Sequence, residues 1–201
     1  LNLYKNVPGN KLVYESVNHD LKLVFRYSWT TSPRYGFVRR AEIENNGSEI
    51  FEIELLDGLQ NILPAGLNEQ LQNARSNLVD AYKKQERVPA TNLVLYRLSS
   101  IIIDRPIPAE ALSCNVCYMP DSGELPLILS SLQVEAFRKG QDLTEETEIK
   151  GEKGAFLVLH RFSLSPGQRR DWLMVADVDQ DHSSLTALMD ELQHPETLRE
   201  N

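Results

Sequence analysis

Two short stretches of this chain hold the residue types best suited to ligand chemistry. The first is ELLDGLQNILPAG, Glu54 to Gly66. An apolar strand is predicted to run into an Asp57-Gly58 turn and then into a rigid loop carrying Gln60, Asn61 and Pro64. Side-chain amides fixed at a strand end donate and accept hydrogen bonds at once, which suits sugar hydroxyls or a fixed domain contact, not covalent chemistry. The second stretch is YSWTTSPRYGFVRR, Tyr27 to Arg40, where aromatics and arginines surround a Ser-Pro turn. The faces of Trp29 and Tyr35 would stack on sugar rings while Arg34 hydrogen-bonds hydroxyls. Equally, both rings serve as core or interface aromatics and Arg34 stands in solvent.

Other chemistry has less to stand on. Glycoside hydrolysis needs two carboxylates from distant positions, and Asp57 leads here, with Asp80 and Asp104 behind it. An Asp before Gly at a strand end is otherwise a turn residue. The run Asp177, Asp179, Asp181 (DVDQDH) has the start of a calcium loop, but a calcium loop requires Gly at its sixth position and Glu at its twelfth. Those positions hold His182 and Leu188. The carboxylates instead precede a helix, whose positive end they favour, with Ser183 as its cap. His19, His160, His182 and His194 are scattered without ligand spacing, and no GxSxG, Walker or GxGxxG motif occurs. Cys114 and Cys117 (CNVC) lie in a strand-like run, whereas a redox pair needs a helix N-terminus and a zinc site needs two more ligands. They are expected to be small apolar-like side chains, and no metal or cofactor is expected.

The elements that must position these residues are mostly strands. Leu21, Leu23, Phe25, Tyr27 and Trp29 share one face against Lys22, Val24, Arg26 and Ser28, and Phe37 to Glu44 alternates likewise. Asn45-Asn46-Gly47-Ser48 supplies positive-φ residues, so a hairpin is predicted between that strand and Phe51 to Leu55. Leu67, Leu71 and Ala74 have helical spacing, predicting a short helix after residue 66, while 77–86 fits helix or strand. Leu93 to Ile103 and Leu112 to Met119 are predicted as strands, with 140–154 a polar loop. Two strands follow, one with Phe156, Val158, His160, Phe162 and Leu164 on a face, one with Trp172, Met174, Ala176 and Val178, separated by Ser165-Pro166-Gly167. Leu185, Leu188, Met189 and Leu192 give a final amphipathic helix. The expected layout is a β domain over 1–182 and, over 183–201, a helix and tail that start a linker.

The chain has 201 residues, 29 Asp plus Glu against 21 Lys plus Arg, and a net charge of −8. A chain of this size buries roughly 70% of its unfolded surface, so it needs neither disulfide nor metal for a core. No basic run offsets the acidity, which argues against nucleic acid as a partner, and no apolar run is long enough for a membrane helix. Beginning at Leu1, the chain has the look of a piece of something longer, which leaves its compartment open.

RYSWTTSPRYGFVRRAEIEN (Arg26 to Asn45), ELLDGLQNILPAG, SNLVDAYK, LYRLSSIIIDRPIPAEAL and LSPGQRRDWLMVADV (Leu164 to Val178) together resemble the N-terminal β-domain region of cellobiose-phosphorylase-like proteins related to glycoside hydrolase family 94. The resemblance covers most of the chain, in the same block order. It implies an antiparallel β-supersandwich of the galactose-mutarotase-like kind. It also implies a downstream (α/α)6 barrel as partner, holding the catalytic acid and phosphate site, so no catalytic residue carries over to this chain. The expected function is then a non-catalytic β domain that supports such a barrel, with homodimerisation or oligosaccharide contact through Trp29, Arg34, Tyr35, Asp57, Gln60 and Asn61. Two alternatives stand beside it: a structural or partner-binding module, and an aldose-1-epimerase-like enzyme using His160, His182 and a Glu such as Glu54.

Overall fold

The computed structural model of the chain describes residues 1–67, 69–100, 102, 111–120, 123 and 125–193. Its strands are β1 (Asn2–Lys5), β2 (Lys11–Asn18), β3 (Leu23–Ser32), β4 (Gly36–Asn45), β5 (Phe51–Ile62), β6 (Lys83–Arg87), β7 (Leu93–Leu98), β8 (Cys114–Tyr118), β9 (Leu127–Ser130), β10 (Glu148–Lys150), β11 (Gly154–Leu164) and β12 (Arg169–Gln180). The four helices among the described residues are α1 (Glu69–Ala74), α2 (Ser76–Tyr82), α3 (Val134–Arg138) and α4 (His182–Gln193). With 50% strand and 17% helix among the described residues, the fold is mostly β, and its sheets are antiparallel. The chain groups into two compact units, one of Leu1–Leu55 with His160–Ala176, the other of Leu56–Leu159 with the chain from Asp177.

In the first unit the strand order is β1-β2-β3-β4-β12, and each neighbouring pair is antiparallel. The expected alternation is present, and both faces follow from it. On one face Arg26 donates to Glu15 (2.5 Å), Glu42 (3.2 Å) and Glu44 (2.9 Å), and Arg40 pairs with Asp171 at 2.8 Å. The Arg26 cluster is part-buried, whereas the Arg40–Asp171 pair is exposed and holds register more than it adds stability. The opposite face carries Phe25, Tyr27, Ala41, Trp172 and Met174, of which the last three are buried.

The hairpin expected at Asn45-Asn46-Gly47-Ser48 does not form. β4 lies between β3 and β12, whereas the neighbour of β5 is β11, in a separate three-stranded sheet β5-β11-β9. The reason is Asn45. Its side chain is fully buried, with Nδ2 donating to the carbonyls of Glu49 (2.8 Å) and Leu164 (2.9 Å) and Oδ1 accepting from the Gly47 amide (2.9 Å). That bonding closes an Asx turn and sends the chain across to the other sheet instead of back along β4. The turn at Ser165-Pro166-Gly167 forms as expected: Gln168 N donates to Ser165 O at 3.0 Å, and Gly167 supplies a φ of 73°.

In the second unit β8-β7-β6-β10 follow in order, again antiparallel, and β9 pairs β11. One face of β7, Val94, Tyr96 and Leu98, is buried throughout, and on the other Leu93 is buried while Leu95 and Arg97 are half-buried, which is why LVLYRL reads as a nearly apolar run. It ends at Leu98, short of the Ile103 expected, and positions 101 and 103–110 lie outside the described residues. The helix after residue 66 is present as α1, and the ambiguous 77–86 divides: α2 ends at Tyr82 and β6 begins at Lys83. β10 lies inside the stretch expected to be loop, paired with β6. A core of Ile128, Ala155 and Leu157 packs against Leu56, Val134 and Leu143. Each fully buried side chain of this class, Phe156 and Leu127 included, contributes about 1.5–3 kcal/mol by leaving water.

α4 begins one residue earlier than expected, and its cap is Asp181, not Ser183: Oδ1 of Asp181 accepts from the Ser184 amide at 2.8 Å. The backbone and hydroxyl of Ser184 hold the Asp181 carboxyl below its ordinary range, as expected at the positive end of a helix. None of its residues is fully buried.

Candidate functional site

The six candidate residues fall in two places, each within one unit. In the first unit, β3 and β4 stay in register to Ser32 and Gly36, leaving Pro33, Arg34 and Tyr35 as the connection. Ser32 Oγ accepts from the amides of Arg34 and Tyr35, both at 3.3 Å. Arg34 is exposed, with its guanidinium 5.2 Å from the Tyr35 ring centre. Tyr35 is half-buried, and its hydroxyl is turned inward without a hydrogen-bond partner among the described residues.

Trp29 belongs to a row of aromatics on the inner face of the same sheet. Tyr14 and Tyr27 are directly opposed across β2 and β3, stacked 4.8 Å apart and within 12° of parallel. The Arg39 guanidinium sits 4.6 Å above the Tyr27 ring. Phe25 lies 6.1 Å from Tyr27 and 6.2 Å from Trp172, and Trp172 in turn packs 4.6 Å from His160. The two ends of the row differ in access. Trp172 and His160 are buried, at 7% and 5% exposure, while Tyr14, Tyr27 and Trp29 are half-buried. Trp29 lies in register between Leu12 and Arg39. Arg39 is itself buried, at 4% exposure, and donates to Met174 Sδ at 3.7 Å, so what this end presents is the half-buried ring surface of Tyr14, Tyr27 and Trp29. Neither Tyr14 nor Arg39 was singled out from sequence; the alternation of Leu12, Tyr14 and Ser16 was masked by Val13 and Val17 on the other face.

In the second unit Asp57 is not at a turn. The Asp57-Gly58 pair lies inside β5, and Asp57 is buried at 8% exposure. Gln60 and Asn61 are also strand residues, not loop residues. Gln60 Oε1 accepts from Ser131 Oγ at 3.4 Å. Asn61 has a φ of 58°, a left-handed conformation that Asn tolerates better than most residues. It lines a cleft of about 220 Å³ together with Ile62, Leu63, Gln72, Lys83 and Lys153.

One of the residues lining that cleft is a buried lysine. Lys83, 2% exposed, donates to Gln72 Oε1 at 2.6 Å and to Asp80 Oδ1 at 2.7 Å, and Gln72 Nε2 donates to the same Asp80 oxygen at 3.3 Å. Burial pushes the Asp80 carboxyl up, but the hydrogen bonds from Lys83 and Gln72 outweigh it and hold the group below its ordinary value. Asp80, a candidate acid from sequence, is therefore an ionised partner of Lys83. Asp104, the other candidate, lies outside the described residues.

His160 sits in the core against Trp172, and His182 is exposed at the start of α4. Both cysteines are buried and free. Burial pushes the Cys114 thiol up to about 11 and Cys117 higher still, opposite to what a reactive thiolate needs. Among the described residues no group of three His, Cys, Asp or Glu side chains is placed to hold a metal ion, and no helix is long and apolar enough to cross a membrane.

No family model matches this chain, and no curated protein does.

Proposed function

We propose that this chain is a non-catalytic β domain of a larger carbohydrate-active protein of the cellobiose-phosphorylase-like kind, with a supersandwich arrangement of its sheets. It contacts glycan through the half-buried end of the aromatic row, at Trp29, Tyr27 and Tyr14. The observation that carries this reading is the run of half-buried rings, Trp29, Tyr27 and Tyr14, along one sheet face, where ring surface is available for stacking. The side chains that meet there and in the cleft of the second unit bind and orient. His160, which an epimerase would need as its acid or base, is packed in the core.

The (α/α)6 barrel is the proposed partner. Helix α4 supports this: Leu185, Leu188, Met189 and Leu192 form its stripe, and none is fully buried, which leaves apolar surface for a following element to cover.

Affinity electrophoresis through gels containing a soluble β-glucan tests the sugar contact. Retardation of the wild type and free migration of Trp29→Ala are expected. Equal, unretarded migration of both proteins would remove the glycan-contacting role.

A further inference from the structure

We propose that the cleft beside β6 is a separate binding site for the oxyanion of a small ligand, a carboxylate or phosphate, held between Lys153 and the remaining N–H of Lys83. This does not depend on the aromatic face, which belongs to the other unit.

Charge is the first reason. In a chain of net charge −8, this cleft brings together two ammonium groups, Lys83 and Lys153, against one carboxylate, Asp80, leaving a local excess of one positive charge. Asp80 is bonded to Lys83 at 2.7 Å and is attracted by the Lys153 charge as well, so the two ammoniums share one carboxylate. Lys153 is exposed and makes no ion pair among the described residues.

The second reason is preorganisation. An ammonium carries three donors, and Lys83 spends two of them on Gln72 and Asp80. Those two contacts fix its position on the cleft wall and leave one donor to give. Because the side chain is already immobilised, binding costs little further conformational entropy. Asn61 completes the wall. Its amide makes no hydrogen bond among the described residues, and the left-handed φ of 58° at this position is the kind of backbone strain that persists where surroundings enforce it. It is placed to bond a neutral hydroxyl or carbonyl of the same ligand.

Size sets the class of ligand. At about 220 Å³ the cleft is below the roughly 300 Å³ at which drug-sized pockets begin. It admits a single acidic sugar or a similarly small acid, not a polymer.

Calorimetric titration of the full chain with glucuronate, glucose 6-phosphate, inorganic phosphate and, as a neutral control, glucose tests this. Saturable binding of at least one anion is expected, weaker at high salt, with glucose silent. Binding of glucuronate alone would assign a carboxylate, and binding of the phosphates a phosphate. Lys153→Gln, at an exposed position, is expected to weaken the anion about ten-fold, equivalent to about 1.4 kcal/mol, with an unchanged circular dichroism spectrum as the folding control. Asn61→Ala is expected to weaken the sugar-bearing anions and leave inorganic phosphate unchanged. No saturation by any anion, equal affinity in Lys153→Gln, or glucose binding as well as glucuronate would overturn the proposal.

Discussion

Gly58 lies so close to the backbone of Phe156 that a Cβ built on it would stand 1.8 Å from the Phe156 carbonyl oxygen and 2.9 Å from the Leu157 Cα. β5 and β11 therefore approach at a point where no side chain fits, at a φ of 155° that glycine alone adopts freely. Gly58→Ala is expected to destabilise the protein by about 3 kcal/mol, since the clash is with backbone and cannot be relieved by a rotamer. Urea unfolding followed by far-ultraviolet circular dichroism checks this; an unchanged midpoint would mean the two strands are further apart.

The same pair explains one misleading signal in the sequence. Asp-Gly after an apolar run is a good turn signature when the glycine serves a positive φ in a tight connection. Here it serves a close strand contact, which depends on a partner 98 positions away, Phe156. Asn46-Gly47 misleads for a related reason: the buried Asn45 amide reaches Leu164, and local sequence contains no trace of that partner. By contrast, Leu23 to Trp29 and Phe37 to Glu44 are legible because one face of each carries polar groups, Arg26 and Ser28 on the first and Arg40, Glu42 and Glu44 on the second, so period 2 stands out. β2 is not, since Leu12, Val13 and Tyr14 put apolar groups on both faces. The cleft was illegible because Asn61, Gln72, Lys83 and Lys153 meet only after the chain folds.

Asn45 is expected to be the most sensitive polar position of the first unit. Asn45→Ala would leave the Glu49 and Leu164 carbonyls without their donor, costing about 2–3 kcal/mol for buried unpaired groups. Asn45→Asp, which keeps the acceptor for Gly47 but not the donors, is expected to be no milder. Chemical denaturation of both variants measures it, and a loss under about 0.5 kcal/mol, the range of ordinary surface changes, would contradict the assignment.

Acid should loosen the second unit through Asp80. Its folded-state pKa is depressed below the ordinary 3.8, so its contribution is fully present above that value and is lost as pH falls through the lower, folded value. Asp80→Asn removes that acid dependence and strands the buried Lys83 charge, at a cost of about 3 kcal/mol near neutral pH. Thermal melts from pH 7 to pH 2 check both points. A variant as stable as wild type at pH 7 would show that the pair contributes nothing.

The cysteines should be inert in the folded protein. With the Cys114 thiol pushed up to about 11 and Cys117 higher, native alkylation at pH 8 is expected to be about a hundred-fold slower than in urea, because the thiolate is the reacting species. Mass spectrometry after timed iodoacetamide treatment reads it directly. Rapid native labelling of either residue would reopen a redox role for the CNVC pair.

The most direct test of the central claim is a fluorescence titration of the protein with cellobiose and longer cello-oligosaccharides. Trp172 is packed between Phe25 and His160 and supplies a constant background, so the responding residue is Trp29. Saturable change in emission that vanishes in Trp29→Ala is the result expected of a glycan-contacting domain. A flat response across the series, or a response that survives Trp29→Ala unchanged, would contradict it.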